Sequence, residues 1–297
     1  MPELPDVTVY VEALQQRLIG QTLTKIRFGS PFVLRTVEPS PSEVAGREVV
    51  DIRRLGKRIV IELLDKSNGE LYIVIHLMIA GRFKWLPPNA KLPGKAGLAA
   101  FDFPNGTLLL TEAGSKRRAA IHLVRGAAGL NEHNPGGLEP LEMTLDEFRD
   151  ALTRERHTLK RSLTDPHLFS GIGNAYSDEI LHRARLSPVQ MSTNLSDDET
   201  ARLYQATRET LVDWTDRLRR DAGAGFPEKV TAFRPEMAVH GRYNQPCPVC
   251  GSPVQRIVYS ENETNYCARC QTGGRLLADR ALSRLLHGDW PKSIDEL

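Results

Sequence analysis

Between residues 22 and 123 the apolar positions fall in short runs: TLTKIRF, EVVDIRR, RIVIELL, LYIVIHL, LAAFDF and TLLLTEA. Turn signals such as Ser67-Asn68-Gly69 and Pro104-Asn105-Gly106 separate them. Runs of this length, rich in β-branched residues and broken at hairpin spacing, predict an antiparallel sandwich or barrel. The period changes on either side. Val7, Val11, Leu14 and Leu18 recur every three or four residues, with Pro5 and Asp6 suited to a start and Gly20 to a stop. That predicts a helix over 6–18 that holds the chain's first residues against a core. Residues 126–140, GAAGLNEHNPGGLEP, read as a linker. Beyond it, Thr144-Leu145-Asp146-Glu147 is a capping box and predicts a helix from Leu145; Ser196-Asp197-Asp198-Glu199 repeats the device. Leu203, Thr207, Leu211, Trp214 and Leu218 then share one helix face. In SGIGNAYSDEILHRARLSP, Gly171 and Gly173 permit a reversal and Asn174 stands where a helix with a body over 176–184 begins. A helix start offers unpaired N–H groups to an anion, and Asn174 serves equally as a plain cap. Residues 275–297 read as a short helix ended by Gly288.

A chain of 297 residues has room for two or three modules. With 40% hydrophobic and 26% charged residues it has the make-up of an ordinary globular protein. No apolar run reaches the roughly 18 residues a membrane helix needs, and no signal peptide opens the chain, so neither membrane insertion nor export is expected. The net charge of +2 gives no support for nucleic-acid binding; only local clustering could. Clusters exist at Arg53, Arg54, Lys57 and Arg58, at Lys116, Arg117 and Arg118, and at Arg154, Arg156, Lys160 and Arg161. Any one suits a solvated face, whereas three in one chain fit a footprint for phosphates.

Two stretches carry chemistry. Cys247-Pro248-Val249-Cys250 and Cys267-Ala268-Arg269-Cys270 flank a predicted hairpin with strands over 254–259 and 265–266. Paired knuckles of this spacing give tetrahedral thiolate ligation of one structural Zn²⁺, in a reducing compartment. With no fifth ligand or open position in the pattern, the metal is expected to shape the hairpin. The opening Met1-Pro2-Glu3-Leu4-Pro5-Asp6 is the other stretch. Trimming Met1 leaves Pro2 as a secondary amine with a pKa near 8, partly neutral and nucleophilic at physiological pH. Such an amine attacks a sugar carbon to form an iminium, and Glu3 stands close enough for general acid–base work. The plainer alternative is that the prolines stiffen an arm and Asp6 caps a helix.

The terminal PELPD, Lys57 at a strand turn, GIGNAYSDE and the four-cysteine hairpin occur together and in this order. From residue 2 to about 271 the chain resembles the formamidopyrimidine-DNA glycosylase and endonuclease VIII family of base-excision repair enzymes. The resemblance implies an α+β multidomain fold. An N-terminal β-sandwich with its N-terminal helix would span 1–135, and a helix–two-turn–helix domain 136–238. A four-cysteine zinc-finger hairpin would span 239–275, with an extension over 276–297. It implies a double-stranded DNA partner carrying damaged bases or abasic sites, held between the lobes, and a monomeric cytoplasmic enzyme at the nucleoid. In the mechanism it implies, the damaged nucleotide is flipped out, Pro2 attacks C1′, Glu3 shuttles protons and the strand is nicked by elimination. Lys57 would meet a phosphate beside the lesion, and Asn174 the DNA backbone. Lys160, Arg117 and Arg118 would add DNA contacts, with Arg117 or Arg118 also a candidate to fill the void, and Met78 or Ile79 would wedge into the vacated stack.

The chain also departs from the family pattern. Asp6 replaces a Glu, and Ala119 stands where the wedge aromatic is expected. Asn262 takes the place of the finger Arg in contacting DNA, which leaves Arg256 or Arg269 to supply a cation. Residues 222–234, expected over the flipped base, lack the family wording, so the excised lesion is not assigned. These departures motivate the alternative of a binder that recognises damaged, abasic or kinked DNA without turning it over. A zinc-ribbon scaffold for proteins is a further alternative.

Overall fold

The computed structural model describes residues 1–64, 70–113, 116–228, 230–231, 234–259, 262–277 and 291–296. The chain forms two compact units, Met1–Pro135 with Trp214–Thr231, and Gly136–Asp213 with Ala232–Leu297.

The first unit opens with α1 (Leu4–Leu18), which starts earlier than the apolar period alone predicts. Asp6 closes a capping box by accepting the Glu3 N–H at 3.0 Å, and Pro5 sits in the first turn, where its missing N–H costs nothing. Val7, Tyr10, Val11, Leu14 and Leu18 face the core. The strands are β1 (Thr22–Leu23), β2 (Lys25–Phe28), β3 (Arg47–Leu55), β4 (Arg58–Leu63), β5 (Leu71–His76), β6 (Gly81–Leu86), β7 (Gly97–Phe103), β8 (Gly106–Glu112) and β9 (Ala120–Arg125), with a short α2 (Pro41–Val44) before β3. They form a five-stranded sheet, β1-β3-β4-β5-β9, and a four-stranded sheet, β2-β7-β8-β6, antiparallel throughout. Alternate residues Ile59, Ile61, Ile73 and Ile75 of one sheet share a core with Phe101, Leu108 and Leu110 of the other. This is the expected sandwich.

The linker expected over 126–140 begins instead as a helix, α3 (Gly126–Asn131). Its Leu130 packs on Val60, Tyr72, Val74 and Val124, the second face of the five-stranded sheet. That explains why LYIVIHL is apolar at nearly every position rather than alternating: both of its faces are covered.

The second unit holds α4 (Leu145–Thr153), α5 (Leu159–Thr164), α6 (Asn174–Ala184) and the first part of α7 (Asp197–Ala222). Thr144 caps α4 through the predicted box, and Ser196 and Glu199 exchange the same pair of bonds at α7. The predicted stripe Leu203, Thr207, Leu211, Trp214 and Leu218 is buried. β10 (Gln255–Tyr259) and β11 (Asn262–Tyr266) make an antiparallel hairpin, followed by α8 (Ala268–Thr272). The second strand is longer than the expected 265–266, since its polar residues pair through the backbone. The helix expected over 275–297 falls largely outside the described residues. Within them, Ile294–Glu296 makes a single 3-10 turn, and Ile294 packs with Tyr266, Leu276 and Leu277. Among the described residues no helix is long and apolar enough to cross a membrane.

Candidate functional site

In the first unit Pro2 is buried, and Glu3 and Asp6 are 2% and 1% exposed. Burial holds the Met1 ammonium below its ordinary pKa of 8.0. Glu3 and Asp6 oppose that shift, while Arg82 and Lys57 reinforce it, so both cations lie within electrostatic reach of the terminus. Lys57 occupies the two-residue reversal between β3 and β4, where Gly56 takes a φ of 60°. Arg82, which the sequence reading does not single out, enters from the start of β6. Its guanidinium donates to the Gly81 carbonyl at 2.7 Å and the Ile79 carbonyl at 3.2 Å.

Those carbonyls belong to a tight turn. The Gly81 N–H donates to Leu77 O at 2.9 Å, and a Cβ on Gly81 would stand 2.2 Å from that oxygen. Met78 adopts a left-handed φ of 52°, a strained state for a non-glycine residue. Of the two wedge candidates, Ile79 is the projecting one at 56% exposure, and Met78 is half-buried. Arg117 and Arg118 are exposed. The loop carrying them is anchored by Glu112, a buried carboxylate that accepts the N–H groups of Arg118 and Ala119, each at 3.0 Å. Glu112 also escapes the sequence reading, because its partners are backbone groups that no motif records.

The first basic cluster is not four free cations. Arg53 bridges Asp51 at 2.8 Å and Glu62 at 2.6 Å beneath the ring of Tyr72, and Arg54 donates to Gly56 O at 2.8 Å. Arg58 is half-buried, and desolvation lowers its pKa. In the second unit Lys160 is similarly engaged: Nζ donates to Asn174 O at 2.6 Å and to buried Asp178 at 2.5 Å. Its charge is therefore met within its own unit.

Asn174 starts α6, and its Nδ2 donates to Glu263 O of β11 at 2.8 Å. Asp178 further accepts from His240 Nδ1 at 2.8 Å and Asn265 N at 3.2 Å. Glu179 accepts the N–H groups of Ala238, Val239 and His240. Asn262 pairs with Tyr259 through the backbone, and its side chain lies outside the described residues. The alternative cations are engaged: Arg256 lies 4.2 Å from the Tyr243 ring centroid and bonds Glu263, and Arg269 bonds Asp295.

The four thiols Cys247, Cys250, Cys267 and Cys270 converge, all sulfurs lying within 4.8 Å of one another. Cys250 and Cys267 are 3.3 Å apart, and Cys247 and Cys270 3.9 Å. Zn–S bonds of about 2.3 Å at tetrahedral angles put sulfurs about 3.8 Å apart, so the donor set fits one zinc ion. Burial pushes the Cys267 thiol up and Cys270 to about 11, a cost that a divalent cation offsets by stabilising the thiolates.

Residues 1–118 match a formamidopyrimidine-DNA glycosylase N-terminal domain, and 137–216 the H2TH domain of the same enzymes. Residues 244–273 match a zinc finger found in FPG and IleRS. Over 284 residues the chain is 31% identical to a formamidopyrimidine-DNA glycosylase of Heliobacterium modesticaldum, covering 91% of this chain and all of that one. The chain belongs to the formamidopyrimidine-DNA glycosylase family. The crystal structure of the MutM (Fpg) protein from Thermus thermophilus superposes with a TM-score of 0.74 at 30% identity, over 91% of this chain and 98% of that one. The Lactococcus lactis Fpg bound to DNA containing an abasic site shares the fold with a TM-score of 0.80 at 23% identity, over 91% of this chain and 99% of that one. In this glycosylase the thiolate set is thus a structural zinc site, inside the matched finger.

Proposed function

We propose that this family member, a DNA glycosylase and abasic-site lyase of base excision repair, does its chemistry with Pro2 as nucleophile. Once Met1 is removed, the Pro2 nitrogen bonds to C1′ of the flipped nucleotide while the C1′–base bond breaks and its electrons leave with the base. The Glu3 carboxylate takes the proton from the Pro2 nitrogen and delivers it to the ring oxygen; as C1′–O4′ opens, the nitrogen lone pair forms the C1′=N bond of the iminium. Loss of a C2′ proton then expels the 3′ phosphate, and water later frees Pro2. Desolvation supports this reading most directly. Pro2 and Glu3 are both buried, and the same burial that lowers the Met1 ammonium disfavours charge on an amine placed there. Lys57 lies within electrostatic reach of that amine and contributes to the same depression.

On this reading the partner is double-stranded DNA with a damaged base or an abasic site, met by a monomer at the cytoplasmic nucleoid. Lys57, Arg117 and Arg118 contact its phosphates from the catalytic domain over 1–135. Asn174 contacts the backbone from the helical domain over 136–238, and Asn262 from the finger over 239–275, with an extension over 276–297. Ile79 fills the vacated stack, its exposure favouring it over Met78. Lys160 has an internal role, holding the start of α6 through Asn174 O and Asp178.

Nicking assays on oxidised-purine, oxidised-pyrimidine and abasic duplexes test the reading. Wild type is expected to cleave the abasic duplex and at least one damaged one. Glu3→Gln should lose base excision while Pro2→Gly loses both steps, each by a factor of about a hundred or more. Undiminished nicking by both variants would remove the proposal, and tight binding by wild type without nicking would replace it with a passive damage binder.

A further inference from the structure

Asn174, Asp178 and His182 recur every four residues along α6, so their side chains rise from one face of the helix. Each reaches the cysteine-bearing segment. Asn174 bonds Glu263 O at 2.8 Å, Asp178 bonds Asn265 N at 3.2 Å and His240 at 2.8 Å, and His182 Nε2 lies 3.3 Å from Cys247 Sγ. The stripe is a ladder of polar rungs between helix and finger, and both His182 and Cys247 are buried. His182 is the rung that touches a metal ligand. The thiolate set is complete without it, since four sulfurs already converge within 4.8 Å of one another.

We propose that His182 is a positioning residue for the zinc site, its Nε2–H donating to the Cys247 thiolate and tying the metal centre to the last turn of α6. A zinc-bound thiolate has no proton to give, so the imidazole must be the donor, which fixes its tautomer. The bond takes up part of the negative charge on a sulfur shielded from water, a charge that an apolar neighbour would leave unsatisfied. Partners of this kind, one bond removed from the metal, change affinity by about 10–100-fold when lost. Because Asn174 opens the same helix, the rung also makes the zinc site and the seat of Asn174 parts of one hydrogen-bonded ladder. The bond is a property of the finger and does not depend on Pro2 being the nucleophile.

The test uses the zinc-loaded full chain with three substitutions. His182→Phe keeps a ring and removes the N–H. His182→Gln places an N–H near the position of Nε2, and His182→Asn carries one that stops short. Zinc transfer to a chromophoric chelator is expected to quicken about tenfold in His182→Phe and His182→Asn, with His182→Gln close to wild type. In the cobalt-substituted protein, the thiolate-to-metal charge-transfer band should shift in the first two variants and stay in the third, with four-sulfur ligand-field bands in all. Equal zinc release and an unmoved band in His182→Phe and His182→Asn would overturn the proposal. So would three-sulfur, one-nitrogen bands in wild type that vanish on substitution, because His182 would then be a ligand. Should His182→Phe fail to fold, the Gln and Asn pair decides alone.

Discussion

At the scale of single residues, the turn over 77–81 shows how little freedom the chain leaves beside its terminus. Gly81 has no room for a methyl group, because the obstruction is the Leu77 carbonyl rather than a movable side chain. Gly81→Ala is expected to cost on the order of 1–3 kcal/mol in urea unfolding and to reduce nicking, since the turn must open to relieve the contact. Ile79→Ser should behave in the opposite sense. Its side chain is exposed, so stability should change by no more than about 0.5 kcal/mol. Affinity for an abasic duplex should fall about tenfold, roughly 1.4 kcal/mol, in a fluorescence-anisotropy titration. Unchanged affinity would remove Ile79 from the wedge role. The sequence shows at this scale which residue types are available, and it shows local partners well: Asp6 capping α1 and the cysteine knuckles are readable because their partners lie a few positions away. Arg53 and Lys160 look like free cations in the sequence because Glu62 and Asp178 come to them only through folding.

At the scale of elements, the outer face of the five-stranded sheet carries a pH dependence. His76 of β5 and His122 of β9 are both held down to about 4, His76 by burial and then Arg58, His122 by burial and then His133 and Arg58. In the unfolded chain both take up protons near pH 6.5. Between about pH 6.5 and 4 the unfolded state therefore binds more protons than the folded one, and stability falls as pH drops through that window. The urea midpoint of the sandwich is expected to decline on acidification there, and His122→Gln should flatten the slope. A midpoint independent of pH over the same range would contradict this burial. The strands and capped helices are legible because hydrophobic period and capping boxes are local signals. α3 is not, since GAAGLNE has a loop-like composition and becomes helical where Leu130 finds the apolar outer face of the sheet.

At the scale of the whole molecule, the finger draws its stability from a different source than the sandwich and the helices. The sandwich has a large apolar core and the helices of the second unit bury Phe148, Phe169, Ile180 and Leu203, whereas the finger clusters are small and include Cys247 and Cys267. Chelation of zinc is accordingly expected to lower the urea midpoint of the finger and leave that of the sandwich in place. With Trp214 and Trp290 replaced by Phe, emission from Trp85, packed against the sandwich core, reports the latter. A single transition displaced as one by the chelator would show instead that the units unfold together. The near-zero net charge has the same origin as the lost cations: acidic residues are spent on internal pairs such as Arg219 with Glu12 and Arg27 with buried Asp102. The claim on which the account rests is that the processed Pro2 bonds to deoxyribose, and peptide mapping of a trapped complex tests it most directly. Wild-type protein mixed with abasic-site duplex, reduced with borohydride and digested, should carry the sugar remnant on the peptide beginning at Pro2. The remnant on a lysine such as Lys57, or on a peptide that still retains Met1, would contradict the account.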